Sequence, residues 1–392
     1  MPATPRRKTE DAKASLSSLA DFSAEQLTRR RLERRAVEAA VWGMRIVAMD
    51  AMRQAFFAAG ARYGDFLYLS RPADWKFQIT TPNASSLYVY FNFNTKDGPM
   101  VLEVPPAEGA GLFGSLNDAW QTPFVDIGPQ GTDKGKGGRY LILPPDHEKP
   151  AAADFIAANM QTCNGYGLLR AIPASSSDAD RAKAIELVKR LRLFALADAA
   201  TPPASKFIDI AGKPFEAIAP FDAGFYATLS RMMNEEPVHE RDLTAMGGLH
   251  ALGIEKGKPY EPDGATREVL DGAVAEAHAL FMLDNAKVRP WWPGSRWGMS
   301  IEVGPKTSFT FSLPDRLDID ERANMFFLAC APPMKLGAAT FYLGAFADAG
   351  GEVLDGGANY RLHVPPDVPA RQYWAATVYD LETAAFIREA PR

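Results

Sequence analysis

The chain reads as an α+β protein rich in β structure, and three observations predict this. Leu87–Asn94 alternates, with Leu87, Val89, Phe91 and Phe93 on one side and Tyr88, Tyr90, Asn92 and Asn94 on the other. That is the period of a half-buried strand, and Lys96-Asp97-Gly98 reads as the hairpin turn into a partner strand reaching Val104. Ser23 followed by Gln26 is a capping-box signature, predicting a long helix to about Phe57. The aromatic run Trp291-Trp292-Pro293-Gly294-Ser295-Arg296-Trp297 marks a return to β after a helical stretch. At 392 residues the length supports two or three domains.

The remaining elements follow in order. Residues 1–22 are expected to be a disordered tail, and Gly43 is a candidate interruption of the first helix. Phe66–Leu69 reads as a short strand, while Gly109–Gly114, Leu116–Trp120 and Phe124–Gly128 follow without an assigned element. The Gly/Lys loop Gly131–Gly138 hands over to the strand Arg139–Leu143, which Pro144-Pro145 ends. A strand is predicted over Gly167–Ile172, then a helix capped within Ser175–Asp178 and carrying the stripe Ala184, Leu187, Val188 and Leu191. Residues 198–222 read as an irregular connector, with helices over about 222–233, 240–252 and 265–284. Strands are expected over Thr307–Leu313, Phe341–Asp348, Tyr360–Val364 and Tyr373–Tyr379. The last region echoes an earlier one: Gly356–Asp367 and Gly137–Asp146 both read as glycine turn, Tyr-led strand and Pro-Pro stop.

Composition excludes several classes. The net charge of −5 and pI near 5.7 argue against non-specific binding to nucleic acid or anionic membranes. Arg29, Arg30, Arg31, Arg34 and Arg35 are interleaved with Glu25, Glu33 and Glu38, as on a solvated helix face. No apolar run reaches ~18 residues, so no transmembrane span is expected, and the charged start lacks a signal-peptide core. Cys163 and Cys330 read as buried reduced thiols. The expectation is a cytoplasmic protein that binds neither nucleic acid nor membrane.

The motifs resemble a two-part bacterial family whose halves are domain of unknown function 1254 (N-terminal) and domain of unknown function 1214 (C-terminal). In the first half they are Trp42-Gly43-Met44, Thr81-Pro82-Asn83, Gly98-Pro99-Met100-Val101, Asn117-Asp118-Ala119-Trp120 and Gly138–Pro145. In the second they are Trp291–Gly294, Tyr360–Pro366 and Tyr373–Asp380. The resemblance implies two antiparallel β-sandwich-like domains joined by a helical region. The expected divisions are 1–22 (tail), 23–200 (first domain), 201–290 (helical connector) and 291–392 (C-terminal β domain). Arg45 and Ala48 stand where members of the family more often carry Pro and Asn. Members also tend to continue past the region equivalent to Phe386–Glu389. A last sheet without its closing strand would have an open edge, which favours pairing with another chain or poor stability, and a homo-oligomer is expected.

For chemistry, the glycine loop opens a strand rather than a helix and fits no phosphate-binding spacing, so no cofactor is expected. The histidines His147, His239, His250, His278 and His363 are scattered, and no metal is expected. No nucleophile elbow is present. Asp118 beside Trp120 is the candidate acid or base, the alternative being a turn-capping Asp next to a core Trp. Asn83, Tyr88, Trp120 and Arg139 complete a candidate inter-domain pocket, with Asn83 orienting a ligand and Arg139 holding an anionic group. The function expected is binding of a neutral or weakly acidic, partly apolar small molecule, with hydrolase or lyase chemistry left open. The alternative is a non-catalytic carbohydrate-binding or oligomer-forming β module, suggested by Trp291, Trp292, Trp297, Trp374, Tyr360 and Tyr373.

Overall fold

A computed structural model describes residues 22–147, 154–299, 309–334, 341–364, 366–370 and 374–390. The expected tail lies almost wholly outside these residues, as do the starts of the strands expected from Thr307 and Tyr373. The protein has both helices and several mostly antiparallel sheets.

Helix α1 (Ala24–Ala58) begins as its sequence predicts: Ser23 Oγ accepts the Gln26 N–H at 3.1 Å, and Gln26 Oε1 accepts the Ser23 N–H at 2.8 Å. Its arginine-rich first turns are exposed, with Arg29 and Glu33 paired at 2.9 Å. From Ala36 to Phe56 the helix is largely buried. Gly43 does not interrupt it. A Cβ there would lie 3.0 Å from the Leu229 side chain, so glycine serves close helix approach instead.

The strands are β1 (Phe66–Tyr68), β2 (Phe77–Gln78), β3 (Leu87–Asn94), β4 (Met100–Val104), β5 (Ala110–Asp118), β6 (Pro123–Ile127) and β7 (Gly138–Leu143). They continue with β8 (Ile156–Asn159), β9 (Asn164–Pro173), β10 (Arg192–Ala195), β11 (Phe207–Asp209) and β12 (Phe215–Glu216). Helix α2 (Asp178–Val188), with Ser177 as its N-cap, separates β9 from β10. Six strands form one sheet in the order β11-β1-β3-β9-β5-β6, and four form another in the order β10-β4-β7-β8. Strands β2 and β12 pair apart from both.

Strand β3 is central, paired with β1 on one side and β9 on the other. The turn at Lys96-Asp97-Gly98 is therefore real but is not a hairpin. Both edges of β3 are occupied, so the chain arches into the second sheet, where β4 pairs with β10 and β7. One core receives Leu87, Val89, Phe91 and Phe93 from β3, Met100, Leu102 and Val104 from β4, and Tyr140 and Ile142 from β7. The other face of β3 is buried too. Tyr88 and Tyr90 join the core built on α1, and Asn92 is fully buried beside them. The face carrying Tyr88, Tyr90 and Asn92 is thus covered by a helix.

Glycines make the strand packing possible and hid one strand from the sequence reading. Strand β5 carries Gly111 and Gly114, and a Cβ on Gly114 would stand 2.2 Å from the Leu168 carbonyl oxygen. In β9 a Cβ on Gly167 would lie 2.1 Å from the Phe91 ring across the strand pair.

The helices α3 (Gly224–Glu235), α4 (Leu243–His250) and α5 (Gly264–Ala286) match the expected positions. They pack on α1 together with a helix that was not expected, α6 (Ile319–Leu328). Its sequence signal is Asp318, whose carboxylate accepts the Glu321 N–H at 3.2 Å as an N-cap. Strands β13 (Arg289–Pro290) and β14 (Gly298–Met299) form a short ribbon at the expected return to β. Beyond it, the strands expected at 341–348, 360–364 and 373–379 are absent among the described residues. Isolated bridges such as Ala347–Val353 and Tyr379–Phe386 occur there instead. Of the two echoing segments, only the first, containing β7, is a strand. Among the described residues no helix is long and apolar enough to cross a membrane.

Replacing Gly167 with Val should force the Phe91 ring out of the core, at a cost of about 1–3 kcal/mol or more. The check is the urea midpoint at unchanged m-value; an unchanged midpoint would contradict the close packing of β9 on β3.

Candidate functional site

The residues proposed from sequence divide into three separate places. Asn83 and Tyr88 form one. The Tyr88 hydroxyl accepts from Asn83 N and Nδ2, both at 2.9 Å, while Asn83 Oδ1 accepts the Ser85 and Ser86 N–H groups at 3.0 and 2.9 Å. This is a turn held by an asparagine, not a side chain aimed at a ligand. The C-terminal region docks here: Tyr379 donates to the Pro82 carbonyl at 2.8 Å, and the Thr81 N–H to the Ala384 carbonyl at 2.7 Å.

Asp118 and Trp120 form the second place. Asp118 ends β5 opposite Gly165, which pairs with Phe93 at the far end of β3, whereas Asn83 lies just before Leu87. The length of β3 between them is about 20 Å. Asn83 and Asp118 therefore share no hollow, and the pocket expected to join them is not there. Arg139 is the third place. It lies on β7 in the four-stranded sheet, paired with Glu103 at 3.2 Å and set over the Phe155 ring.

The Asp118 turn has its own logic. Its carboxylate accepts the Thr122 N–H at 2.8 Å, and its carbonyl accepts the Gln121 N–H at 2.9 Å, closing the tight link from β5 to β6. The capping alternative is the one the geometry fits. Trp120 packs against Trp42 of α1 with ring centroids 4.6 Å apart. Arg45 of α1 reaches over to donate to the Trp120 carbonyl and the Thr122 hydroxyl. Gln121 donates back to the Arg45 carbonyl at 2.7 Å and accepts from the Tyr166 hydroxyl at 2.8 Å. Burial pushes the Asp118 carboxyl above its ordinary range, and the Arg45 charge and the Thr122 N–H only partly offset this.

The described residues contain a different cleft, of about 320 Å³, that sequence reasoning missed. Arg53, Gln54 and Phe57 line it from the last turns of α1, Tyr63 from the loop that follows, Asn94 from the end of β3, Lys96 from the arch and Glu235 from the end of α3. A network rooted at the buried Asp50 and Arg53 holds its walls. Asp50, with no solvent exposure, accepts from Arg53 Nε at 2.8 Å and Gln54 Nε2 at 3.2 Å and also pairs with Arg231. Arg53 Nη1 reaches Glu235 Oε2 at 2.6 Å and the Tyr63 hydroxyl at 3.2 Å. Asn164 joins the rest: its Oδ1 accepts from Tyr63 at 2.8 Å and Asn94 at 2.7 Å, and its Nδ2 donates to Glu235 at 3.0 Å and Glu236 at 2.7 Å. Burial raises the Glu236 carboxyl's pKa, against the Cys163 and Asn164 N–H groups that it accepts. The usable sequence signal was Asp50-Ala51-Met52-Arg53, an i,i+3 charge pair inside an otherwise apolar helix segment.

Other candidates are accounted for. Asp133 fills the glycine loop, its two carboxylate oxygens accepting the Gly128 and Gly137 N–H groups at 2.7 and 3.1 Å, which takes up two donors an anion would need. His239 and His278 each meet a backbone carbonyl at 2.7 Å. Among the described residues no three His, Cys, Asp or Glu side chains converge as metal ligands.

Comparison with protein families places these parts. The model described as "Protein of unknown function (DUF1254)" matches residues 64–193, and "Protein of unknown function (DUF1214)" matches residues 339–392. The two matches fall in the N- and C-terminal order expected from the sequence. The DUF1254 match holds all five residues proposed from sequence. Arg53 and Glu235, the ion pair of the cleft, lie outside both matches. None of the curated proteins compared with this chain matches it. A solved structure, that of the VPA0106 protein from Vibrio parahaemolyticus, is similar over 66% of this chain and 61% of its own, at 14% identity and a TM-score of 0.48. The chain thus spans about three fifths of that protein's length.

Asp118 gives a signed pH test. Its folded pKa lies above the ordinary value of 3.8, so the folded state holds the proton more tightly than the unfolded state does. Stability should fall as pH rises from 3.8 through the higher folded value and level off above it. Asp118→Asn, which keeps an oxygen for the Thr122 N–H, should make that fall shallower. Denaturant midpoints across the acid range check this, and identical slopes in both proteins would contradict it.

Proposed function

We propose that the protein binds a small, weakly acidic, partly apolar molecule in the cleft between the end of α1, the end of α3 and the arch after β3. The single observation that carries this reading is the convergence of side chains at that cleft. The Lys96 ammonium, the Arg53 guanidinium, the Tyr63 phenol and two amides face a space of about 320 Å³ beside the apolar ring of Phe57. That volume falls at the lower end of the range typical for small-molecule sites. The Asp50–Arg53–Glu235 network, buried at Asp50 and Arg53, supports it by fixing the wall before a ligand arrives. Lys96 is exposed and would meet an acidic group, Phe57 the apolar part, and Glu235 a hydroxyl or N–H of the ligand. If turnover accompanies binding, as a hydrolase or lyase, Glu235 rather than Asp118 is the carboxylate in position to move a proton.

Finer points of architecture and setting belong to the same reading. The six- and four-stranded sheets are inferred to face each other as one sandwich, supported by the core that takes residues from both. A cytoplasmic setting is supported by the unpaired thiols of Cys163 and Cys330. A second reading, a carbohydrate-binding or homo-oligomer-forming surface, is favoured by the exposed Trp291, Trp292, Tyr360 and Trp374.

A thermal-shift panel of aromatic and alkyl carboxylic acids, alcohols and sugars tests the first reading. Carboxylic acids should raise the melting temperature, and Lys96→Gln should weaken their binding about tenfold, the loss of one charge-assisted contact. No response to any acid, or an equal response in Lys96→Gln, would count against the cleft. A response to sugars alone would favour the second reading.

A further inference from the structure

A second cluster of charge lies deeper, between α1 and α6. Arg45 and Arg322 are each only 5% exposed. They face one another because Trp42 stands one turn before Arg45, Phe326 stands one turn after Arg322, and the contacts cross over. The Arg45 guanidinium lies 5.3 Å from the Phe326 ring centre, and Arg322 Nη2 donates to the Trp42 carbonyl at 3.4 Å. The Arg322 Nε is buried with no hydrogen-bond partner. Of the charged groups acting on the pair, Asp118 is the buried carboxylate, while Arg241 and Asp242 at the rim stand 3.9 Å apart and offset each other. Around this pair, two buried guanidiniums face a single buried carboxylate, a costly arrangement in a low dielectric.

We propose that Arg45 and Arg322 hold a small monovalent anion of halide or formate size, with the Arg322 Nε as one of its donors. The surplus charge calls for an anion rather than water. The near-complete burial of both side chains and the rings of Trp42, Trp120 and Phe326 limit it to a small one.

The test uses the full chain with chloride and bromide. At constant ionic strength, replacing gluconate with chloride should raise the melting temperature by roughly 2–4 °C. The rise should vanish in Arg322→Met and survive in part in Arg322→Lys. A melting temperature independent of chloride, or one that still responds in Arg322→Met, would overturn the proposal. Should Arg322→Met fail to fold, crystals of the unaltered protein soaked in bromide decide. An anomalous peak within hydrogen-bond distance of the Arg322 Nε supports the site, and its absence there refutes it.

Discussion

The burial of α1 is the constraint on which the rest depends. From Ala36 to Phe56 this helix is enclosed by the six-stranded sheet, by α3, α4 and α5, and by α6. Small residues at Ala36, Ala39, Ala40, Gly43 and Ala48 let neighbours approach closely, and a helix apolar on nearly all sides has no stable place except inside. Yet the same stretch carries Arg45, Asp50 and Arg53, all buried. Each charge has to be met in the interior. Arg45 meets the β5–β6 turn, Arg53 meets Asp50 and Glu235, and Asp50 also meets Arg231. The polar architecture of the protein follows from one helix being both central and charged.

These charges lie two turns apart on α1 and anchor two distinct polar regions at the same end of the sheet. Near Arg45 the groups are sealed, and Asp118 serves the turn rather than solvent. Near Arg53 the helix ends, the wall opens, and Tyr63, Asn94 and Lys96 face a cleft. Thr162 and Asn164 connect them: the Thr162 hydroxyl accepts the Ala119 N–H at 2.9 Å and donates to the Asn164 carbonyl at 2.7 Å. A change at the turn therefore has a short covalent and hydrogen-bonded route to the cleft wall.

Local signals were legible in the sequence and their partners were not. The Ser23–Gln26 box exists as read, and β3 and the turn at Lys96–Gly98 exist as a strand and a turn, though not as a half-buried strand and a hairpin. What alternation cannot reveal is what covers each face, and a helix some thirty residues upstream covers the tyrosine side of β3. Turn chemistry likewise does not say whether a chain returns to its own sheet or crosses to another. Strand β5 was obscured because its glycines, which permit the approach of β9, resemble a loop in composition. Asp118 was found with both roles open, since a turn cap and a poised acid carry the same local sequence, and its bond with the Thr122 N–H is that of a cap. Arg53 and Glu235, separated by most of the N-terminal half of the chain, leave only the faint trace of a charge pair within an apolar stretch.

Hydrogen–deuterium exchange of the intact protein tests the central place of α1 most directly. If α1 is the element around which both the sheet and the helices assemble, amides between Met44 and Phe56 should exchange only through global unfolding, together with those of β3 and β9. Rapid exchange across that stretch while β3 and β9 stay protected would mean that the sheet stands without the helix, and the account would fail.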